Sequence, residues 1–304
     1  MASASFTNTI LMVRPAQFGY NAETAENNAF QSRLGISKSI VKDKAVTEFD
    51  AMVDLLEQHG VNVIVIDDTP SPQKPDAVFP NNWFSTHPGR LVLYPMYAES
   101  RRVERRGDIL NHLIEEFGYG CIQSYTHNEE SGKMLEGTGS MILDRDNKIA
   151  YACISERTDQ QLFFDWCQHF GYRPEAFTSV DSNDGLVYHT NVMMALGQQY
   201  VVVCMESIKS PTERENLLNT FAETNKTVIE ITLDQMNNFA GNMLEVVDGN
   251  GSPLLVMSSR AFNALTEAQV EKLESYTSIL APDISTIETV GGGSVRCMMA
   301  EIFH

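Results

Sequence analysis

The chain has no Cys-x-x-Cys spacing, no long apolar run, and too few basic residues to balance its acidic ones. Its five cysteines, at positions 121, 153, 167, 204 and 297, form an odd set. That argues against a disulfide framework and a zinc site, and for a reducing compartment. With 22 Lys+Arg against 40 Asp+Glu, the formal net charge is −18. A surface so acidic repels phosphate backbones and anionic lipid, which disfavours nucleic-acid and membrane-surface roles. The charge is spread along the chain rather than gathered in a tail, and so reads as solubility. No apolar stretch approaches the length that crosses a bilayer. Met1–Val13 lacks the basic and apolar regions of a secretory signal, so the expected location is the cytoplasm. Low-complexity sequence is also missing. The one linker-like segment, Asp67–Pro75, reads as a loop leading into a strand.

What is present is an alternation of short apolar strands with amphipathic helices, in a chain of 304 residues that can bury a large core. Thr9–Val13 reads as a strand. Ala45–His59 reads as a helix with Val46, Phe49, Met52, Val53 and Leu56 on one stripe, ended by Gly60. Strands follow at Val61–Ile66, Ala77–Phe84 and Arg90–Tyr94, then a helix at Arg102–Phe117 closed by Gly118. The order then recurs. Met141–Leu143 and Ile149–Ile154 read as a hairpin before the helix Asp159–Phe170. Val187–Leu196 and Tyr200–Cys204 precede the helix Thr212–Thr224 and the strand Thr227–Ile231. Asn242–Val247 and Leu254–Met257 precede the helix Thr266–Tyr276. Hairpin, helix and strand thus repeat roughly every sixty residues, which suits a repeat architecture better than a doubly wound sheet.

Four segments carry polar residues where a strand or its end should be apolar. Gly291-Gly292-Gly293-Ser294-Val295-Arg296-Cys297 sets a thiol beside three glycines, backbone suited to close approach by a ligand. The plainer reading is a turn before a last buried strand, Cys297–Phe303, with the thiol merely packed. The others are Pro75-Asp76-Ala77-Val78-Phe79-Pro80-Asn81-Asn82-Trp83, Leu135-Glu136-Gly137-Thr138-Gly139-Ser140, and Tyr188-His189-Thr190-Asn191. Singly, each is compatible with ordinary turn and surface usage. Asn237-Asn238-Phe239-Ala240-Gly241-Asn242-Met243 is a further polar, glycine-containing segment, read as either a turn or part of a site wall.

Taken together and in this order, these segments resemble the guanidino-group-modifying enzymes of the pentein superfamily. Within it the chain is most similar to dimethylargininases and to arginine-deiminase-related proteins of the citrulline-utilisation type. The resemblance runs from Val13-Arg14-Pro15 to Cys297. It implies an α/β fold, a five-fold pseudo-symmetric ββαβ propeller, formed by residues 1–304 as a single catalytic domain. It places Cys297 on the nucleophile, His189 on the general acid/base and Glu136 on the carboxylate that grips the guanidinium. Asp76 matches an aspartate near the substrate. Arg101, in Glu99-Ser100-Arg101-Arg102, and Arg157, in Ser155-Glu156-Arg157-Thr158, match arginines that hold the substrate α-carboxylate. No metal or organic cofactor is implied, and the partner is a small guanidino or ureido amino acid. Oligomeric state is not legible.

The chemistry agrees with these assignments. A guanidinium or ureido carbon is a poor electrophile, and a thiolate is the best protein nucleophile near neutral pH. His189, of a residue type that titrates near neutrality, would protonate the departing amine and then take a proton from water. The chain also departs from the family pattern. Many relatives hold further carboxylates where it has Asn81-Asn82 and Asn191. Asparagine offers a donor as well as an acceptor, so these positions suit a neutral ureido group such as that of citrulline. Arginine-type substrates, with arginine or methylarginine giving citrulline, stay open, as do two other readings: an amidinotransferase using the same intermediate, and a non-catalytic binding protein on the same propeller. The set Cys297, His189 and Glu136, with the −18 charge, argues against the last.

Overall fold

In the computed structural model, which describes residues 5–304, the chain forms five three-stranded sheets. Each sheet follows one rule. Two strands pair antiparallel, a helical crossover follows, and a third strand adds parallel to the second, a connection that needs such a crossover. The second module joins β3 (Phe84–His87), β4 (Arg90–Leu93) and β5 (Cys121–Ser124), with helix Gly107–Phe117 between the last two. The third joins β6 (Ile142–Asp144), β7 (Ile149–Cys153) and β8 (Arg173–Phe177). The fourth joins β9 (Met194–Leu196), β10 (Tyr200–Val203) and β11 (Thr227–Glu230). The fifth joins β12 (Leu244–Val247), β13 (Pro253–Val256) and β14 (Ser278–Leu280). The first module is split in sequence. There β15 (Ala300–Glu301) pairs antiparallel with β1 (Thr9–Arg14), which pairs parallel with β2 (Asn62–Asp67). This is the pentein propeller.

The middle strands β7 and β10 are buried at every position, so they read as unbroken apolar runs rather than alternations. The crossover helices turn apolar stripes inward. In helix Lys38–Gln58 the buried residues are Val41, Ala45, Phe49, Met52, Val53 and Leu56. That helix begins earlier than its apolar stripe suggests. Ser37 caps it by accepting from the Ile40 N–H, and its first turns are polar and largely exposed.

Several expected strands are shorter than their apolar runs, for one shared reason. Just before its first strand, four of the modules make a single helical turn: Pro80–Asn82, Gly137–Ser140, Thr190–Met193 and Val295–Met298. Ala77–Phe84 is therefore not a strand, since Pro80 lacks the N–H a ladder needs and starts this turn instead. Val187–Leu196 contributes only β9 to its hairpin, and Cys297–Phe303 contributes only β15. The fifth module has a non-helical turn before Leu244. The expected helix Arg102–Phe117 divides into Glu99–Arg102 and Gly107–Phe117. Between them Glu104 turns inward and receives the Arg101 guanidinium.

Candidate active site

The turns before the first strands converge, and every module supplies a polar side chain to one buried centre. Cys297 comes from the first, Asn82 from the second, Glu136 from the third, His189 and Asn191 from the fourth, and Asn242 from the fifth. A small pocket, about 20 Å³ in cavity volume, is walled by Cys297, His189, Asp76, Asn82, Arg101, Arg157, Thr24 and Asn28, with Phe79, Tyr188 and Gly291–Gly293. Close approach of the turns requires glycine. A Cβ at Gly139 would stand 2.3 Å from Asn82 Nδ2 and 2.8 Å from His189 Nδ1. Gly292 has φ +67°, the left-handed conformation that ends helix Ser285–Gly291 and leads toward Cys297.

His189 Nε2 lies 2.8 Å from Glu136 Oε2, and Glu136 Oε1 accepts from the Tyr97 N–H at 2.8 Å. Burial opposes the Glu136 carboxylate. Arg157 at 3.6 Å, the His189 hydrogen bond and Arg101 more than offset this and hold its pKa at about 2. An ionised carboxylate only accepts, so Nε2 carries the proton and neutral His189 keeps its lone pair on Nδ1. Burial lowers the pKa of His189, with Glu136 working the other way. Both Glu136 oxygens are thus committed to protein donors. That geometry makes Glu136 a partner of His189 and Arg157.

Arg101 is buried against Glu104, and its NH1 donates to Asn82 Oδ1 at 2.8 Å. Burial works against the cation, but Glu104 outweighs it and the pKa is raised. Arg157 donates to Asn27 Oδ1 and to the Thr24 carbonyl. Asp76 Oδ2 accepts from Asn21 Nδ2 at 2.8 Å and Thr24 Oγ1 at 3.2 Å, while buried Oδ1 has no partner in the protein. Burial raises the pKa of Asp76, against Arg101. Asn191 Nδ2 reaches Cys297 Sγ at 3.4 Å. Asn81 is not brought to the cavity wall. Its amide reaches Thr138 Oγ1 instead.

The segment from Asn21 to Ser32 lies over the cavity. Asn28 Nδ2 donates to the Gly292 carbonyl, Gln31 Nε2 to the Gly291 carbonyl, and the Ser32 N–H to the Thr289 carbonyl. Its side chains were absent from the sequence-derived set, and the only signal was a local richness in amides. Asn242 lay in the Asn237–Met243 segment, which the sequence left open as either a turn or part of a site wall. Among the described residues, no group of three or more His, Cys, Asp and Glu side chains is placed to hold a metal ion. Nor is any helix long and apolar enough to cross a membrane.

A family model described as N,N dimethylarginine dimethylhydrolase, eukaryotic, matches residues 14–304. The chain belongs to this family. It is a hydrolase acting on amidino carbon–nitrogen bonds. No curated protein sequence matches it. Among solved structures it is similar to apo ArgZ, an arginine dihydrolase from the ornithine–ammonia cycle in cyanobacteria, with TM-score 0.75 and 16% identity. That match covers 97% of this chain and 40% of ArgZ. The N-terminal domain of ArgZ bound to substrate matches with TM-score 0.74 and 17% identity, covering 97% of this chain and 98% of that domain. A dimethylarginine dimethylaminohydrolase adduct with S-methyl-L-thiocitrulline matches with TM-score 0.65 and 17% identity, over 98% of this chain and 100% of the other. At such identities the likeness is one of fold.

Proposed function

We propose that this family member is a cysteine-dependent hydrolase of an arginine-like amino acid whose preferred reacting group is a ureido group, converting citrulline to ornithine, carbon dioxide and ammonia. The observation that carries the reading is the orientation of Asn82. Arg101 has only donors, so the Asn82 oxygen must face it, and Nδ2 is left buried in the cavity wall with no partner in the protein. A guanidinium has only N–H groups to offer that amide. A ureido group has a carbonyl oxygen, which the amide N–H fits, and the oxygen gains negative charge as the tetrahedral intermediate forms. Arg101 faces Glu104 and Arg157 faces Glu136, which leaves Asp76 as the remaining carboxylate in the wall. That carboxylate is the one available to meet the α-ammonium of the substrate.

In the reaction, Cys297 Sγ attacks the ureido carbon and the carbon–Nδ bond breaks. The ornithine amine leaves with a proton passed through His189, and an S-carbamoyl cysteine remains. Water, deprotonated by His189, then attacks the carbonyl. The carbon–sulfur pair returns to Cys297, and the released carbamate decomposes to carbon dioxide and ammonia. Arg157 and Arg101 orient the amino-acid end.

The test is incubation with citrulline, arginine and methylarginines in parallel, following ornithine, citrulline and ammonia, with Cys297→Ser as control. Ornithine from citrulline, lost in the variant, is the expected result. Ammonia or methylamines from arginine compounds with citrulline left intact would overturn the ureido preference. Unchanged turnover in Cys297→Ser would overturn the nucleophile.

A further inference from the structure

The Asn237–Met243 segment carries a residue that the reaction as written above does not use. Asn242 is 1% exposed, and its side chain makes three contacts around Cys297. Its Oδ1 accepts from the Arg296 N–H at 3.0 Å. Its Nδ2 donates to the Asn191 carbonyl at 2.9 Å and lies 3.4 Å from Cys297 Sγ. These partners remove any ambiguity in the amide. A backbone N–H needs an oxygen opposite it and a backbone carbonyl needs an N–H, so Nδ2 must face the sulfur. Asn191 Nδ2 meets the same sulfur, also at 3.4 Å. Unlike Asn242, it has an oxygen with no partner in the protein.

We infer that Asn242 is a positioning residue that holds the Cys297 sulfur in its anionic, attacking form, with Asn191 as the second donor of a two-amide clamp. The inference rests on Cys297 being the nucleophile. A hydrogen bond to a charged form favours that form, and a thiolate is a far better acceptor than a thiol or a carbon-bonded sulfur. The clamp therefore acts at two points. Before attack, it favours the thiolate. Once the carbon–sulfur bond forms, the sulfur lone pair that accepted these donors is committed, and the clamp weakens. When water attacks and that bond breaks, the pair returns to sulfur and the two donors are regained. The thiolate is thus stabilised as a leaving group in the second half of the reaction. The Arg296 contact adds a geometric role, since Arg296 immediately precedes Cys297 and its N–H is tied to the same side chain.

The deciding measurement is the pH profile of Cys297 alkylation by iodoacetamide, read on the Cys297 peptide by mass spectrometry, for the wild type, Asn242→Ala and Asn191→Ala. Both variants are expected to move the midpoint alkaline by about one pH unit each, slowing alkylation below the midpoint about tenfold. A variant that merely loosens the site would alter the rate at every pH and leave the midpoint in place. That outcome, in a variant with native circular dichroism, overturns the clamp. If Asn242→Ala does not fold, the wild type decides through its Asn242 side-chain NH₂ resonances. They are expected to shift with the alkylation midpoint, and resonances that stay still through it overturn the inference. Because alkylation needs no substrate, this result is separate from the identity of the nucleophile, which turnover of Cys297→Ser decides.

Discussion

Glu136 and His189, supplied by successive modules, meet at 2.8 Å with the carboxylate fully buried. The Glu136 pKa falls from its ordinary 4.5 to about 2, and that of His189 falls below 6.5. Both are lower in the folded protein than in the unfolded chain. The unfolded chain therefore takes up protons first as the pH drops, and stability is lost on acidification. The His189 share is present above pH 6.5 and declines below it. The Glu136 share is present above 4.5 and is lost as the pH falls toward 2. The second amounts to about 3 kcal/mol. Glu136→Gln is expected to flatten the stability curve between pH 4.5 and 2, as followed by urea unfolding at a series of pH values. An equally steep decline in that variant would show that other groups carry the acid sensitivity.

Asn82→Asp exchanges the locked N–H donor for an acceptor and pairs Arg101 with a new carboxylate. Turnover of citrulline is expected to drop, and kcat/KM for citrulline relative to arginine to fall at least about tenfold, the scale of one lost hydrogen bond to a reacting oxygen. Parallel kinetics on the two substrates check this. A ratio that does not change would remove Asn82 from the basis of selectivity.

Gly139→Ala places a methyl group where Asn82 and His189 now approach. Neither can retreat freely, because Arg101 holds the first and Glu136 the second. The expected cost is about 1–3 kcal/mol of stability, as for other overpacked sites. Activity should fall further than that loss explains, and melting temperature and kcat measured on the same preparation check both.

The thiols divide by environment. Burial pushes Cys153 and Cys167 up to about 12 and Cys204 up to about 11, whereas Cys121 is exposed and Cys297 borders the cavity. Iodoacetamide near neutral pH is expected to label Cys121 and Cys297 in the folded protein and to spare the other three. Peptide mapping checks the pattern.

Much of this organisation was readable from the residues. Gly118 ends its helix in a left-handed conformation, as its position after Phe117 implied. The order of hairpin, helix and strand was plain because each element carries its own periodicity. The short inner turns were not readable. In Val187–Leu196 an apolar run reads as a strand whether it extends or coils once, and only its convergence with four neighbouring turns decides between them. The segment over the cavity had no period at all, since Asn21, Thr24, Asn28 and Gln31 act through polar contacts that include residues distant in sequence. The three-way bonding of Asn242 depends on Asn191 and Arg296, both distant in sequence from it and brought to it only by the closed ring.

That ring closes through β15, whose two residues pair with Ile10 and Leu11. Cys297 lies three positions before β15. The Cys297 sulfur and the latch therefore travel on one short piece of chain. A chain with the other four modules in place but residues 295–301 undocked would hold His189, the two arginines and the amide of Asn82, yet lack the Cys297 sulfur among them. Completion of the circle and placement of that sulfur are thus one structural event.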